Sequence, residues 1–396
     1  MSKPRLTVCV GGGGVGKTTT SAALALHLAR SGKRTLVITV DPARRLADAL
    51  GVEVGQATQE VKDPTIAASS GGRLYAKMPD PRRGMGELLL GLFQDPAQRE
   101  RVMANPAYRE LADSLAGVHE LLTVGLVQSE MDSGRFDEVV LDTAPSRNAL
   151  AFLSYPGRFL GLLEARALTW LSSLAGGPPP PPAAPGDRSD SVPPPSGRGG
   201  GLLAWGRAKV EGLFGRIVGL DALRNLSALF GEMAAVRARW AQSVRRSQEI
   251  LDDPANRYLV VGAPSGGSLA DVRFLIDALA KRSLAPTAVV LNRAETGPGD
   301  GESRVARLLE TRSDLVAEIG ADDVTVLRAT LASLGEEHRA RGLAADDAVR
   351  FLEKSAPRGT PVLRLPFVGP GSPREIVLAL ADAWADVLAA QEKPLL

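Results

Sequence analysis

The chain has 396 residues, enough for two average domains or one large α/β domain carrying an insert. Hydrophobic residues make up 44% and charged residues 23%, as in ordinary globular proteins, and a net charge of +2 is too balanced to predict nucleic acid as a partner. The single cysteine, Cys9, excludes an internal disulfide and any cysteine-cluster metal site.

The N-terminus, MSKPRLTVCV, lacks the apolar core of a signal peptide. No run approaches the ~18 apolar residues of a spanning helix. A cytoplasmic protein without an integral membrane segment is therefore expected. LTVCV (6–10) reads as a buried parallel strand, with Cys9 as one of its small hydrophobes. GGGGVGKT follows over 11–18, with the spacing Gly-x4-Gly-Lys-Thr. TTSAALALHLARSG comes next, apolar at helical spacing and closed by Gly32. Strand, glycine loop and helix together are the context of a phosphate cradle. Gly11, Gly13, Gly14, Val15 and Gly16 would turn backbone N–H groups onto a polyphosphate, and Thr19, in the first helical turn, is expected to bind the nucleotide with them. Lys17 should reach the β- and γ-phosphates, and the Thr18 hydroxyl should bind Mg2+. ATP and Mg2+ are the expected cofactors.

Further apolar runs recur at TLVITV (35–40), RLYAKM (73–78), DEVVLDT (137–143), YLVVGAP (258–264), TAVVLN (287–292) and TPVLRLPF (360–367). Most are continuously hydrophobic, as strands buried on both faces are. Helical patterns separate them. The fold class is α/β, a doubly wound and mostly parallel sheet with a helical insert. Asp41 follows the second run, where a loop can reach the γ-phosphate. Asp142 ends the fourth, the position of an acid that supports Mg2+ through water.

Residues 1–80, 136–155, 256–295 and 358–396 are expected to build the core. Residues 81–135 and 156–255 are expected to form a helical subdomain, and 296–357 a helical extension of the core. Within the second insert, the Pro- and Gly-rich stretch 176–201 reads as a disordered linker. The apolar helices beside it fit either ordinary core packing or a groove for an apolar partner.

GGVGKTTT, VDPARRLADAL and DTAPSRNALAFL resemble the phosphate loop, switch I and switch II of the ArsA family, and LYAKMPDP resembles its third-strand segment. That family includes arsenite-transport ATPases and the ATPases that target tail-anchored membrane proteins. The resemblance implies that Asp41 orients the attacking water, that Asp142 is the switch II acid, and that Asn292 binds the adenine edge. It also implies a homodimer that closes over ATP, and a hydrophobic protein client or membrane-protein partner held by the helical insert. Three departures stand out. Family members usually carry a lysine that reaches across the dimer, at the position where this chain has Gly12; Arg44, Arg45 or Arg147 could replace that charge. The targeting ATPases often form a CxxC zinc clasp, which one cysteine cannot make. The arsenite enzymes bind metalloid through thiolates and fuse two ATPase halves, and this chain does neither. An arsenite-transport ATPase, a ParA/MinD-type positioning ATPase and a non-hydrolysing nucleotide-dependent scaffold stay open as alternatives.

Overall fold

Each of the seven apolar runs forms a strand. They are β1 (Arg5–Gly11), β2 (Arg34–Thr39), β4 (Arg73–Lys77), β5 (Glu138–Asp142), β6 (Arg257–Gly262), β7 (Ala288–Leu291) and β8 (Val362–Arg364). An eighth, β3 (Gln59–Val61), completes one sheet in the order β3-β4-β2-β5-β1-β6-β7-β8. Only β3 is antiparallel, pairing with β4 at the sheet edge. Sequence reading missed it because QEV is short and two of its three residues are exposed, so it shows no apolar run. Strand β8 is shorter than the run that predicted it. Pro361 and Pro366 flank it, and neither has an N–H to give to a ladder. Pro361 can still accept from Val289 N–H at 3.0 Å.

A computed structural model of the chain describes residues 4–40, 45–53, 57–66, 71–79, 95–106, 118–144, 220–295 and 320–391, with a few isolated positions between them. Two compact units divide the chain: Met1–Asp80, Ser129–Ala151 and Asp253–Leu396 form one, and Pro81–Gln128 and Phe152–Asp252 the other. The stretch 176–201 read as a linker lies outside the described residues.

The first unit contains the sheet. Helix α1 (Lys17–Arg30) follows the glycine loop and ends as its sequence suggests. Gly32 takes φ 86°, Gly32 N–H donates to Ala29 O at 3.0 Å, and Lys33 N–H donates to Leu28 O at 3.1 Å. This pair of bonds satisfies carbonyls that the last helical turn would leave open. Short α2 (Arg45–Leu50) follows β2. The C-terminal helix, here α8 (Pro373–Ala389), starts with Pro373 and a reciprocal cap between Ser372 and Glu375. Its apolar face, with Val377, Leu380, Ala381 and Trp384 buried, joins the same core as Leu24 and Leu28 of α1.

Cys9 belongs to that core and is fully buried. Burial pushes its thiol up to about 12, an effect partly offset by a hydrogen bond with Ser21. The thiolate is the reactive form, so native protein at neutral pH should not react with a thiol-directed reagent, whereas unfolded protein should react once per chain. Rapid labelling of native protein would contradict this placement.

In the second unit, α3 (Pro96–Ala104) starts with Asp95 accepting from Ala97 N–H at 3.0 Å and with Pro96 at its first position. Helix α4 (Val118–Asp132) follows, and its residues 129–132 are counted in the first unit. Helix α5 (Leu220–Leu251) packs on α3 through Phe93, Val102, Leu229 and Val236. Arg101 Nε donates to Glu232 Oε1 at 2.6 Å and Asn105 Nδ2 to Asn225 O at 2.8 Å, fixing the contact at its rim. Helix α6 (Gly266–Ala280) and the long α7 (Ala321–Ser355) complete the first unit.

Candidate functional site

Parallel register sets the site. Strand β1 lies between β5 and β6, with Cys9 opposite Asp142 and Gly11 opposite Val261. On the other side of β5, Thr39 at the end of β2 is opposite Asp142. The carboxyl ends of three neighbouring strands thus meet the glycine loop, the place where open α/β sheets bind ligands.

The loop has the backbone of a cradle. Gly14 and Gly16 take φ 75° and 82°, left-handed values that a side chain disfavours. Gly13 and Gly14 are exposed, and a Cβ at either would meet nothing within 4 Å, so this side is open to a ligand. Gly11 is closed off instead, since a Cβ there would stand 2.5 Å from Val261 O. Val15 is buried and anchors the loop in the core. Thr19 is half-buried in the first turn of α1.

Asp142 is the electrostatic centre. It is fully buried, and its Oδ2 accepts from Thr18 Oγ1 at 2.7 Å and from Thr39 Oγ1 at 2.9 Å. Lys17 Nζ lies 3.6 Å from Asp142 Oδ1 and donates to the backbone carbonyl of Thr143. An ammonium has three donors, so the Thr143 contact leaves capacity for phosphate oxygens. Thr143 is itself held by its hydroxyl, which donates to Cys9 O at 2.9 Å.

The structure brings Lys17, Thr18 and Asp142 together as the sequence suggested. Asn292 also arrives at the loop, with its side chain donating to Val15 O at 2.9 Å. Asp41, Arg44 and Arg147 lie outside the described residues. Arg45 opens α2 and is exposed. Thr39 and Thr143 were missed. Each is a polar residue at the end of an apolar strand run, and that was the available signal.

Gly12 also has a neighbour that sequence could not supply. A Cβ there would stand 2.7 Å from Asp271 Oδ2 on α6. A lysine introduced at Gly12 must displace that carboxylate and then lies beside it. Gly12→Lys should therefore raise turnover less than Gly12→Lys combined with Asp271→Asn, because the carboxylate competes for the new ammonium. Equal single-turnover rates in the two variants would show that Asp271 has no such effect.

Residues 5–170 match the model of a family described as anion-transporting ATPase, the ArsA ATPases. The match includes the glycine loop, Lys17, Thr18 and Asp142. Residues 5–170 are an ArsA-family ATPase domain. The ATPase GET3 of Podospora anserina is 28% identical over 287 residues, covering 72% of this chain and 72% of that protein. The ATPase GET3 of Malassezia globosa is 36% identical over 165 residues, or 42% of this chain and 45% of that protein. The ATPase ASNA1 homolog 1 of Paramecium tetraurelia is 32% identical over 160 residues, 38% of this chain and 43% of that protein. The chain thus aligns with less than half the length of the latter two. Asn292 and α8 lie beyond the region matched by the family model. The match over residues 5–170 and the likeness to proteins named ATPase support ATP hydrolysis, and nucleotide binding goes with it.

Proposed function

We propose that this ATPase is a Mg2+-dependent switch that closes as a homodimer on ATP and uses the cycle to hold and hand over a hydrophobic protein segment. The observation that carries the reading is the buried Asp142 carboxylate, joined to Thr18, Thr39 and Lys17 at the end of the glycine loop. A group placed there can sense the γ-phosphate and pass that state to the segment after β5.

The donor set fits Mg2+. Thr18 Oγ1 and Asp142 Oδ2 are hard oxygen donors 2.7 Å apart at the head of α1. Mg2+ keeps several waters and takes few protein ligands beside substrate phosphates, so two such oxygens suffice. Thr18 would hold the ion directly and Asp142 through water. When bound, Mg2+ neutralises charge on the phosphate oxygens. The chain's own groups do the remainder. The loop N–H groups and Lys17 bind and orient the triphosphate, and Asp41 orients the attacking water. The homodimer and the client are part of the proposal, which the likeness to proteins named ATPase GET3 supports.

Two rivals lose ground. Thiolate binding of metalloid has no partner here, because the one cysteine is fully buried in the sheet. A positioning ATPase with a membrane-surface tail would need a free apolar face on α8, and that face is packed in the core. Among the described residues no helix is long and apolar enough to cross a membrane.

Sedimentation with and without Mg2+-ATP, run beside capture of a single apolar span of ~20 residues, tests the proposal. ATP should increase the dimer fraction, and retention of the span should depend on nucleotide. Fast hydrolysis by a strictly monomeric protein that ignores the span would overturn the switch reading.

A further inference from the structure

We infer that Asn292 is a positioning residue for the phosphate loop, bracing the Val15 carbonyl so that Gly16, Lys17 and Thr18 face the phosphates. The inference rests on the reading of the loop as a triphosphate site. It assigns Asn292 a role independent of the nucleotide base.

Asn292 directly follows β7, and its N–H donates to Gly262 O at 2.8 Å, extending the β6–β7 ladder by one bond. Its side chain, 3% exposed, crosses under the loop, and Nδ2 donates to Val15 O at 2.9 Å. The next residue, Arg293, takes φ 56°, one of two positive values at non-glycine residues among those described. Ala294 N–H then donates to Leu365 O at 2.9 Å. The backbone is therefore tied to neighbouring strands on both sides of a left-handed residue, which leaves the Asn292 amide little freedom to leave the loop. Positive-φ residues outside glycine persist where the surroundings over-determine them.

The contact matters because of what the loop must do. To point N–H groups inward at an anion, its peptides must point some carbonyls outward. Val15 is 3% exposed, so its outward carbonyl needs a protein donor, and Asn292 is that donor. Gly16 comes next and takes φ 82°. A Cβ on Gly16 would collide with Asn292 Nδ2, so the amide also fits the space left by the missing side chain. Without the amide, the Val15 carbonyl is left unsatisfied or must turn, and turning it rotates the peptide that carries the Gly16 N–H.

Inorganic tripolyphosphate separates a brace from a base contact, since it offers the loop three phosphates and no adenine. Calorimetry would measure ATP and tripolyphosphate binding to wild type, Asn292→Ala and Asn292→Gln, with thermal melts as a fold control. Asn292→Ala should weaken both ligands by a similar factor, about tenfold, the scale of one lost hydrogen bond to a buried carbonyl. Asn292→Gln keeps an amide donor and should recover part of the tripolyphosphate affinity. If Asn292→Ala does not melt cooperatively, Asn292→Asp gives the same comparison, because it keeps the volume and exchanges the donor for an acceptor. Loss of ATP affinity with unchanged tripolyphosphate affinity would overturn the brace and leave Asn292 as a base contact only. A wild type that binds neither ligand would overturn the triphosphate-site reading itself.

Discussion

Lys17→Ala is expected to abolish measurable ATP binding, raising Kd by at least about a hundredfold, the scale of losing a charge-assisted contact to phosphate in a preformed cradle. Lys17 opens α1 and is 5% exposed, with Nζ held by the Thr143 carbonyl and 3.6 Å from Asp142 Oδ1. Its ammonium is placed by the end of β5, so a replacement that only restores charge does not restore geometry. The same substitution should destabilise the protein without ligand. It leaves the Asp142 carboxylate buried beside Thr18 and Thr39 hydroxyls with its cationic neighbour gone, a loss of about 3 kcal/mol for broken buried pairs. Lys17→Ala combined with Asp142→Asn should therefore melt at a higher temperature than Lys17→Ala alone while still failing to bind ATP. Calorimetry and thermal melts of the two variants separate the effects. Unchanged ATP affinity in Lys17→Ala would sink the phosphate-loop assignment.

Asp142→Asn is expected to keep ATP binding and to lower turnover by about 10²–10³, the range for removing one preorganised electrostatic group from an active site. The amide preserves size and one carbonyl acceptor for the Thr18 or Thr39 hydroxyl. It loses the negative charge that both hydroxyls and Lys17 now share. Thr18 would then be oriented less firmly, and the Mg2+ concentration needed for half-maximal turnover should rise by about 10–100-fold, as when a group that orients a metal ligand is lost. A Mg2+ titration of hydrolysis at saturating ATP reads both changes. Wild-type turnover with an unchanged Mg2+ requirement would remove Asp142 from the mechanism.

Both predictions concern residues that sequence had already singled out, and the reason is local. A Gly-x4-Gly-Lys-Thr segment between a buried strand and an amphipathic helix restricts backbone conformation within eight residues, so the left-handed Gly14 and Gly16 need no distant information. Asp142 was legible because an acid closing an apolar run must sit at a strand end. The doubly wound sheet was legible from continuous hydrophobic runs, because strands covered on both faces have no polar side to alternate. Strand β3 was not, since a short polar edge strand is recruited by β4 and carries no apolar signature of its own. The end of β8 was overextended because hydrophobicity continues through Pro366, whereas pairing does not.

Sequence by itself therefore located the glycine loop between its strand and helix and set the order of most strands and helices along the chain. Tertiary structure alone decided which residues meet there. Register across β2, β5 and β1 sets Thr39, Asp142 and Cys9 side by side, although they are far apart in the chain. The Asn292 amide reaches Val15 across 277 positions, and Asp271 lies where a side chain at Gly12 would begin. The apolar face of α8 is packed in the core by burial of Trp384 and its neighbours. Hydrophobic periodicity reports that a face is buried and leaves its partner unspecified. Partners are chosen by strand pairing and close packing over the whole fold, and no short window of sequence contains them.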